Sequence, residues 1–171
     1  MEVYDAIKGR RSVRRFKKDP VEEEKVEALK EALRSAPSAG NLRMRRFYFV
    51  FNEEVKKRLS AAAFDQRFIL EAPLVVVACA DLRIADYYGK RGVELYAIQD
   101  CAVSVENMML MAHSLGLGSV WVGAFAESEA ARSLSLPEEL RPVAIVPVGY
   151  PAAVPSAPKR GTAEEEVVTV R

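Results

Sequence analysis

The residues best equipped for chemistry come early. Lys8-Gly-Arg-Arg-Ser-Val-Arg-Arg-Phe-Lys-Lys18 places seven basic residues in eleven. Arginine offers a planar fork of donors, Ser12 adds a hydroxyl and the backbone adds N–H groups, a set suited to a phosphate. Such a run also reads as a solvated charged face or a nucleic-acid patch. Val13 and Phe16 interleave the charges and argue for an ordered segment. The rest of the chain offers no recognition helix and no stacking aromatics, so no nucleic-acid partner is expected. A second stretch, Ala36-Pro-Ser-Ala-Gly-Asn41, is a loop of small residues that lets a ligand approach the backbone, although an ordinary connection reads the same way. A third, Ser119-Val-Trp-Val-Gly-Ala-Phe125, reads as a short buried strand broken at Gly123, and glycine inside a strand marks close approach of a ligand or another backbone. The single His113 cannot build a metal site or a Ser/His/Asp triad. A bound cofactor accounts for these stretches better than protein acid–base chemistry.

The element that must position them is a long helix predicted over Leu95–Leu115, with no Pro or Gly before Gly116. At 100° per residue, Ala97, Ile98, Cys101, Ala102, Val105, Met108, Met109, Ala112 and Leu115 fill one half. The other half holds Gln99, Asp100, Ser104, Glu106, Asn107, His113 and Ser114, interrupted by Leu95, Tyr96, Val103, Leu110 and Met111. A helix so apolar belongs at a domain centre or a subunit interface. Gly116 reads as its αL cap. Around it the pattern predicts helices at Glu2–Lys8, Val21–Ser35, Glu53–Ala63 and Glu127–Leu134, with a hinge over Phe64–Phe68. Strands are predicted at Arg46–Phe51, Ala72–Ala80 and Arg141–Gly149, the last two continuous apolar runs buried on both faces. Asp81–Glu94 reads as a looser connection, and Glu164–Val170 as an edge strand available to a partner's sheet. No internal boundary divides residues 1–171, which read as one domain with an extended arm from about residue 150.

Half of the 171 residues are hydrophobic and 29% are charged, which predicts a globular protein with a real core. A net charge of +1 gives no general attraction to nucleic acid or membrane. No run reaches the roughly 18 apolar residues of a membrane span, and the N-terminus does not read as a signal peptide. Cys79 and Cys101 sit in apolar patterns, as buried thiols of a reducing cytoplasm do.

Four segments together resemble the nitroreductase family of FMN-dependent enzymes. Arg10-Arg-Ser-Val-Arg-Arg-Phe16 is similar to its opening Arg-x-Ser-x-Arg-x-Phe. Ala36-Pro-Ser-Ala-Gly-Asn41 resembles its Ala-Pro-Ser-x-x-Asn loop. Leu115-Gly-Leu-Gly-Ser-Val-Trp-Val-Gly-Ala-Phe125 resembles its Gly-Leu-Gly-x-x-Trp-Ile-Gly strand, and Pro142–Pro151 with Lys159-Arg160 its closing strand and basic end. The resemblance implies an α+β fold, a three-layer α/β/α sandwich around a mixed, mainly antiparallel sheet, in an intertwined homodimer with FMN at the interface. It implies that Arg10, Arg11 and Ser12, with Lys159 or Arg160, hold the phosphate, and that Arg14 lies near the flavin pyrimidine. Pro37, Ser38, Ala39 and Asn41 would come from the other subunit. Val122, Gly123 and Ala124 would pass the ring edge with an N–H toward N5, and Gln66 is a further candidate. The family loop continues Asn-x-Gln-Pro-Trp, whereas here Arg43, Met44 and Arg45 replace Gln, Pro and Trp. This predicts an electropositive rim built from Arg43, Arg45 and Arg46.

The activity implied is transfer of reducing equivalents from NADH or NADPH through the flavin to a nitroaromatic or quinone. Such chemistry needs no protein acid or base. Two alternatives remain open at this point: a non-catalytic flavin or nucleotide binder, and a flavoenzyme of the same fold that cleaves flavin or removes halogen.

Overall fold

The computed structural model describes residues 1–158 and 166–171. Its centre is a four-stranded sheet in the order β1-β2-β4-β3, every neighbouring pair antiparallel. The strands are β1 (Arg45–Val50), β2 (Leu74–Asp81), β3 (Gly118–Ser119) and β4 (Leu140–Gly149). One parallel bridge, Ser12 to Ser119, adds the basic segment beside β3. All eight residues of β2 are buried, as its unbroken apolar run requires when both faces are covered. The β2–β4 register slips between Ala78 and Cys79, opposite Pro142, which has no N–H to give to the ladder.

Helices cover both faces. On one lie α2 (Glu23–Ser35) and α6 (Ala97–Ser114), whose Val26, Leu29, Leu33, Cys101, Val105 and Met108 meet Leu74, Val76 and Ala78 of β2. On the other lie α3 (Glu53–Ala62), α4 (Phe68–Glu71) and α7 (Glu127–Ser133), packed on Val75, Val77 and Cys79. The alternation of β2 thus separates two cores, giving the expected three layers. The remaining helices are α1 (Val3–Gly9) and α5 (Ala85–Arg91).

Three elements depart from the sequence-based expectation. The connection over Asp81–Glu94 is ordered: a 3₁₀ turn capped by Asp81, then α5, then a π-helical turn over Gly92–Tyr96 that feeds α6. The strand expected over Ser119–Phe125 stops at Ser119. The next register partner is Pro147, whose carbonyl accepts from the Val120 N–H at 3.4 Å but which has no N–H to return. Only Val122 rejoins β4, exchanging both hydrogen bonds with Ile145. Of the strand expected over Glu164–Val170, residues 164–165 lie outside the described residues, and 167–170 form no strand within this chain.

The cap of α6 is as expected. Gly116 has φ +78°, its N–H reaches the His113 carbonyl, and the Leu117 N–H reaches the Ala112 carbonyl, the two bonds of a Schellman motif.

Candidate active site

The basic segment leaves α1 and runs beside β3, its Val13 N–H donating to the Ser119 carbonyl at 3.0 Å. Val13 and Phe16 turn into the α3/α4/α7 core together with Val122, which leaves the arginines outside. Arg10 pairs with Glu106 of α6 at 3.4 Å. Arg11 donates to the Lys8 carbonyl at 2.6 Å and the Arg10 carbonyl at 2.9 Å, closing the end of α1. The arm after β4 is stitched along the same segment: Lys17 N–H to the Tyr150 carbonyl, Ala152 N–H to the Arg15 carbonyl, both 2.8 Å. The Tyr150 hydroxyl sits between Lys25 and the Glu22 carboxylate of the α2 end. This brings Pro155, Ser156 and Pro158 over Arg10, Arg11, Ser12 and Arg14, around a cavity of about 300 Å³. Three arginines and a hydroxyl there fit a phosphate monoester. Lys159 and Arg160 follow directly but lie outside the described residues.

Val122, Gly123 and Ala124 flank the same side. Val122 is buried, and Gly123 and Ala124 are exposed. Among the described residues the N–H groups of Gly123 and Ala124 have no partner. The Gln66 amide is spent on backbone, donating to the Ala63 carbonyl at 2.9 Å and the Ala124 carbonyl at 3.3 Å. It positions the Gly123 segment.

The loop Pro37–Asn41 leads into β1, the edge strand far from β3, and its Ala39 packs with Met44 on the α2/α6 core. Asn41 and Arg43 have φ of +54° and +56°, beside Gly40 at +54°. The loop hangs on two buried charged residues that sequence reasoning missed. Asp100 of α6, only 5% exposed, accepts the Ala39 N–H at 3.0 and 3.2 Å. Arg45, 7% exposed, donates at 2.7 Å to each of the Ala36 and Pro37 carbonyls. Burial pulls its guanidinium below the ordinary value and the Asp100 carboxylate opposes that shift; an arginine stays charged regardless. The expected three-arginine rim is altered at one position: all three line one cleft, but the Arg45 guanidinium is committed to buried carbonyls. Arg43 and Arg46 are exposed, while Arg45 points inward because buried carbonyls behind the loop need donors. Asp100, expected on the polar half of its helix, is buried for the complementary reason.

One chain thus carries two donor-rich half-sites: the basic segment with Gly123–Ala124, and the loop 37–41. They lie toward opposite edges of the sheet, the first beside β3 and the second leading into β1. The fold is a three-layer α+β sandwich, and its arginine-lined cavity suits a phosphorylated ligand. The model of the nitroreductase family matches residues 7–67 and 60–150, and the chain belongs to that family. A provisionally named NADH dehydrogenase/NAD(P)H nitroreductase of Methanothermobacter thermautotrophicus is 33% identical over 159 residues, 91% of this chain and 80% of that one. An NADH dehydrogenase of Thermus thermophilus is 31% identical, covering 89% and 88%. An FMN-dependent nitroreductase from Clostridium difficile superposes with a TM-score of 0.84 over 98% of this chain and 99% of its own, at 27% identity.

Proposed function

We propose that this protein is an FMN-dependent NAD(P)H oxidoreductase, acting as a homodimer that holds FMN between the basic segment of one copy and the loop 37–41 of the other. Bound FMN supplies the hydride chemistry: it takes reducing equivalents from NADH or NADPH and passes them to a small acceptor such as a nitroaromatic or quinone. The chain's residues bind and orient. Arg10, Arg11 and Ser12, with Lys159 or Arg160, neutralise the phosphate. Arg14 faces the ring, the Gly123 and Ala124 N–H groups serve its edge, and Pro37, Ser38, Ala39 and Asn41 line it from the second copy. One open ring face visited in turn by reductant and acceptor gives ping-pong kinetics.

The observation that carries this reading is one donor set shared between two segments at opposite edges of the sheet, the basic segment beside β3 and the loop leading into β1. It is supported by exposed apolar residues that a second copy would cover: Val3, Tyr4 and Ile7 of α1, and Val103 of α6. No helix among the described residues is long and apolar enough to cross a membrane. Two free buried cysteines favour a reducing cytoplasm.

Anaerobic titration of the purified protein with NADH and then NADPH, followed by an acceptor panel, tests the function. Flavin absorbance that bleaches and is restored by an acceptor is expected. Colour that persists would leave a non-catalytic flavin binder. Sedimentation at low micromolar concentration should give a dimer, and a folded, FMN-loaded monomer would refute the assembly.

A further inference from the structure

The hydrogen bonds of the loop after α2 are sorted by sign. From Ala36 to Ala39 every carbonyl is taken inside the protein: Ala36 and Pro37 by Arg45, Ser38 by the Asn41 N–H at 2.9 Å, Ala39 by the Leu42 N–H at 3.0 Å. The side-chain oxygens are taken too. Ser38 Oγ accepts the Arg43 N–H at 3.0 Å, and Asn41 Oδ1 accepts Arg43 Nε at 3.4 Å. Over Pro37–Ala39 what remains without a partner among the described residues is donors alone, the Ser38 N–H and hydroxyl proton; beyond them the Gly40 N–H and Asn41 Nδ2 are also free, beside the Gly40 and Asn41 carbonyls.

Peptide planarity makes Arg45 the cause. In a trans peptide the N–H points away from the preceding C=O. Arg45 holds the Pro37 carbonyl inward, so the Ser38 N–H must face the other way. Asp100 fixes the next peptide through the Ala39 N–H, and the Leu42 bond to the Ala39 carbonyl turns the Gly40 N–H outward by the same rule. Without the guanidinium, a carbonyl left buried and unpaired would turn toward a partner and rotate a donor out of the site.

We propose that Arg45 is a positioning residue of the cofactor site: it aims the Ser38 N–H and holds the Ala36 and Pro37 carbonyls away from the cofactor, so that this stretch of the loop presents donors that stabilise reduced FMN more than oxidised FMN. Reduction raises electron density on the ring oxygens, and donors facing them then bind more strongly. The inference rests on the FMN reading above.

The test reconstitutes wild type, Arg45→Met and Arg45→Lys with FMN. It measures the dissociation constant of oxidised FMN by fluorescence quenching and the two-electron potential against a reference dye. In Arg45→Met, reduced FMN should lose about tenfold more affinity than oxidised FMN, a fall of about 30 mV for a two-electron couple. Arg45→Lys keeps the charge but loses the fork that spans two carbonyls. It should show about a threefold differential loss, or about 15 mV. A fall in Arg45→Lys cannot come from lost charge. Lysine at wild-type potential therefore overturns the proposal, whatever methionine does, and decides the matter if Arg45→Met fails to fold. Wild type that takes up no FMN refutes the oxidoreductase reading itself, before any variant is read.

Discussion

Arg14 shares its cavity with Arg10, Arg11 and Ser12, but it differs from the two arginines before it. Arg10 is tied to Glu106 and Arg11 to the end of α1, whereas Arg14 is exposed and has no ion-pair or hydrogen-bond partner among the described residues. In the proposed complex its charge is the one available to the ring. Arg14→Gln should keep FMN bound and lower its potential by some tens of millivolts, about 1.5–3 kcal/mol of charge-assisted hydrogen bonding. Arg10→Gln should weaken FMN binding and leave the potential nearly unchanged. Loss of FMN with an unchanged potential at saturating FMN would exclude this role for Arg14. Arg43 and Arg46 line an open cleft of about 470 Å³ with Lys30, Arg34 and Phe47. Changing both to Gln should raise KM for an anionic acceptor about fivefold, the worth of an exposed charge pair near 1 kcal/mol, and spare a neutral one. Equal effects on both acceptors would return them to plain surface. The residue types of the phosphate cavity were legible in the sequence because seven charges crowd one short segment. Arg45 was not, since three arginines in four positions look alike until β1 turns one of them toward the Ala36 and Pro37 carbonyls.

At the scale of elements, continuous apolar runs revealed β2 and β4, and the 3.6-residue stripe of Val26, Leu29 and Leu33 revealed α2. The early end of β3 depends on register against Pro147, which no local pattern carries. The junction of α3 with β2 hides another unread feature. Lys56 is buried, and its ammonium donates to the Ala72 carbonyl at 2.8 Å while pairing with Glu53 at 2.7 Å. Lys56→Met leaves that carbonyl unpaired and should cost about 1–3 kcal/mol, read as a lower urea midpoint at unchanged slope. A midpoint equal to wild type would show that the carbonyl finds another donor. The two thiols lie in different cores, Cys101 in the α2/α6 core and Cys79 on the other face of β2. Burial pushes Cys79 and Cys101 each up to about 12, so neither is a thiolate near neutrality. Iodoacetamide at pH 8 should leave the native protein unmodified and alkylate both in urea, by intact mass. Native labelling would mean that the helices open away from the sheet readily, α6 for Cys101 and the α3/α4/α7 layer for Cys79.

For the whole molecule, exposed Val3, Tyr4 and Ile7 on α1 and Val167, Val168 and Val170 near the C-terminus leave apolar surface that a lone chain does not cover. The sequence announced this in the apolar intruders on the polar half of α6, of which Val103 is 41% exposed. It did not announce that the two segments would lie at opposite edges of the sheet, because that depends on the strand order β1-β2-β4-β3. The proposed dimer, with each centre shared between two chains, has a genetic consequence. Ser12→Asp places a negative charge in the phosphate cavity, and Gly40→Val loads a branched side chain onto a φ of +54° against Tyr88. Each homodimer should be silent, since both of its centres carry the lesion. Co-expressed, the two defective alleles should complement: a mixed pair holds one centre with both lesions and one with neither. Random pairing makes half the dimers mixed, so about a quarter of wild-type activity should return from two dead parents. A silent mixture would mean that each chain completes its own centre.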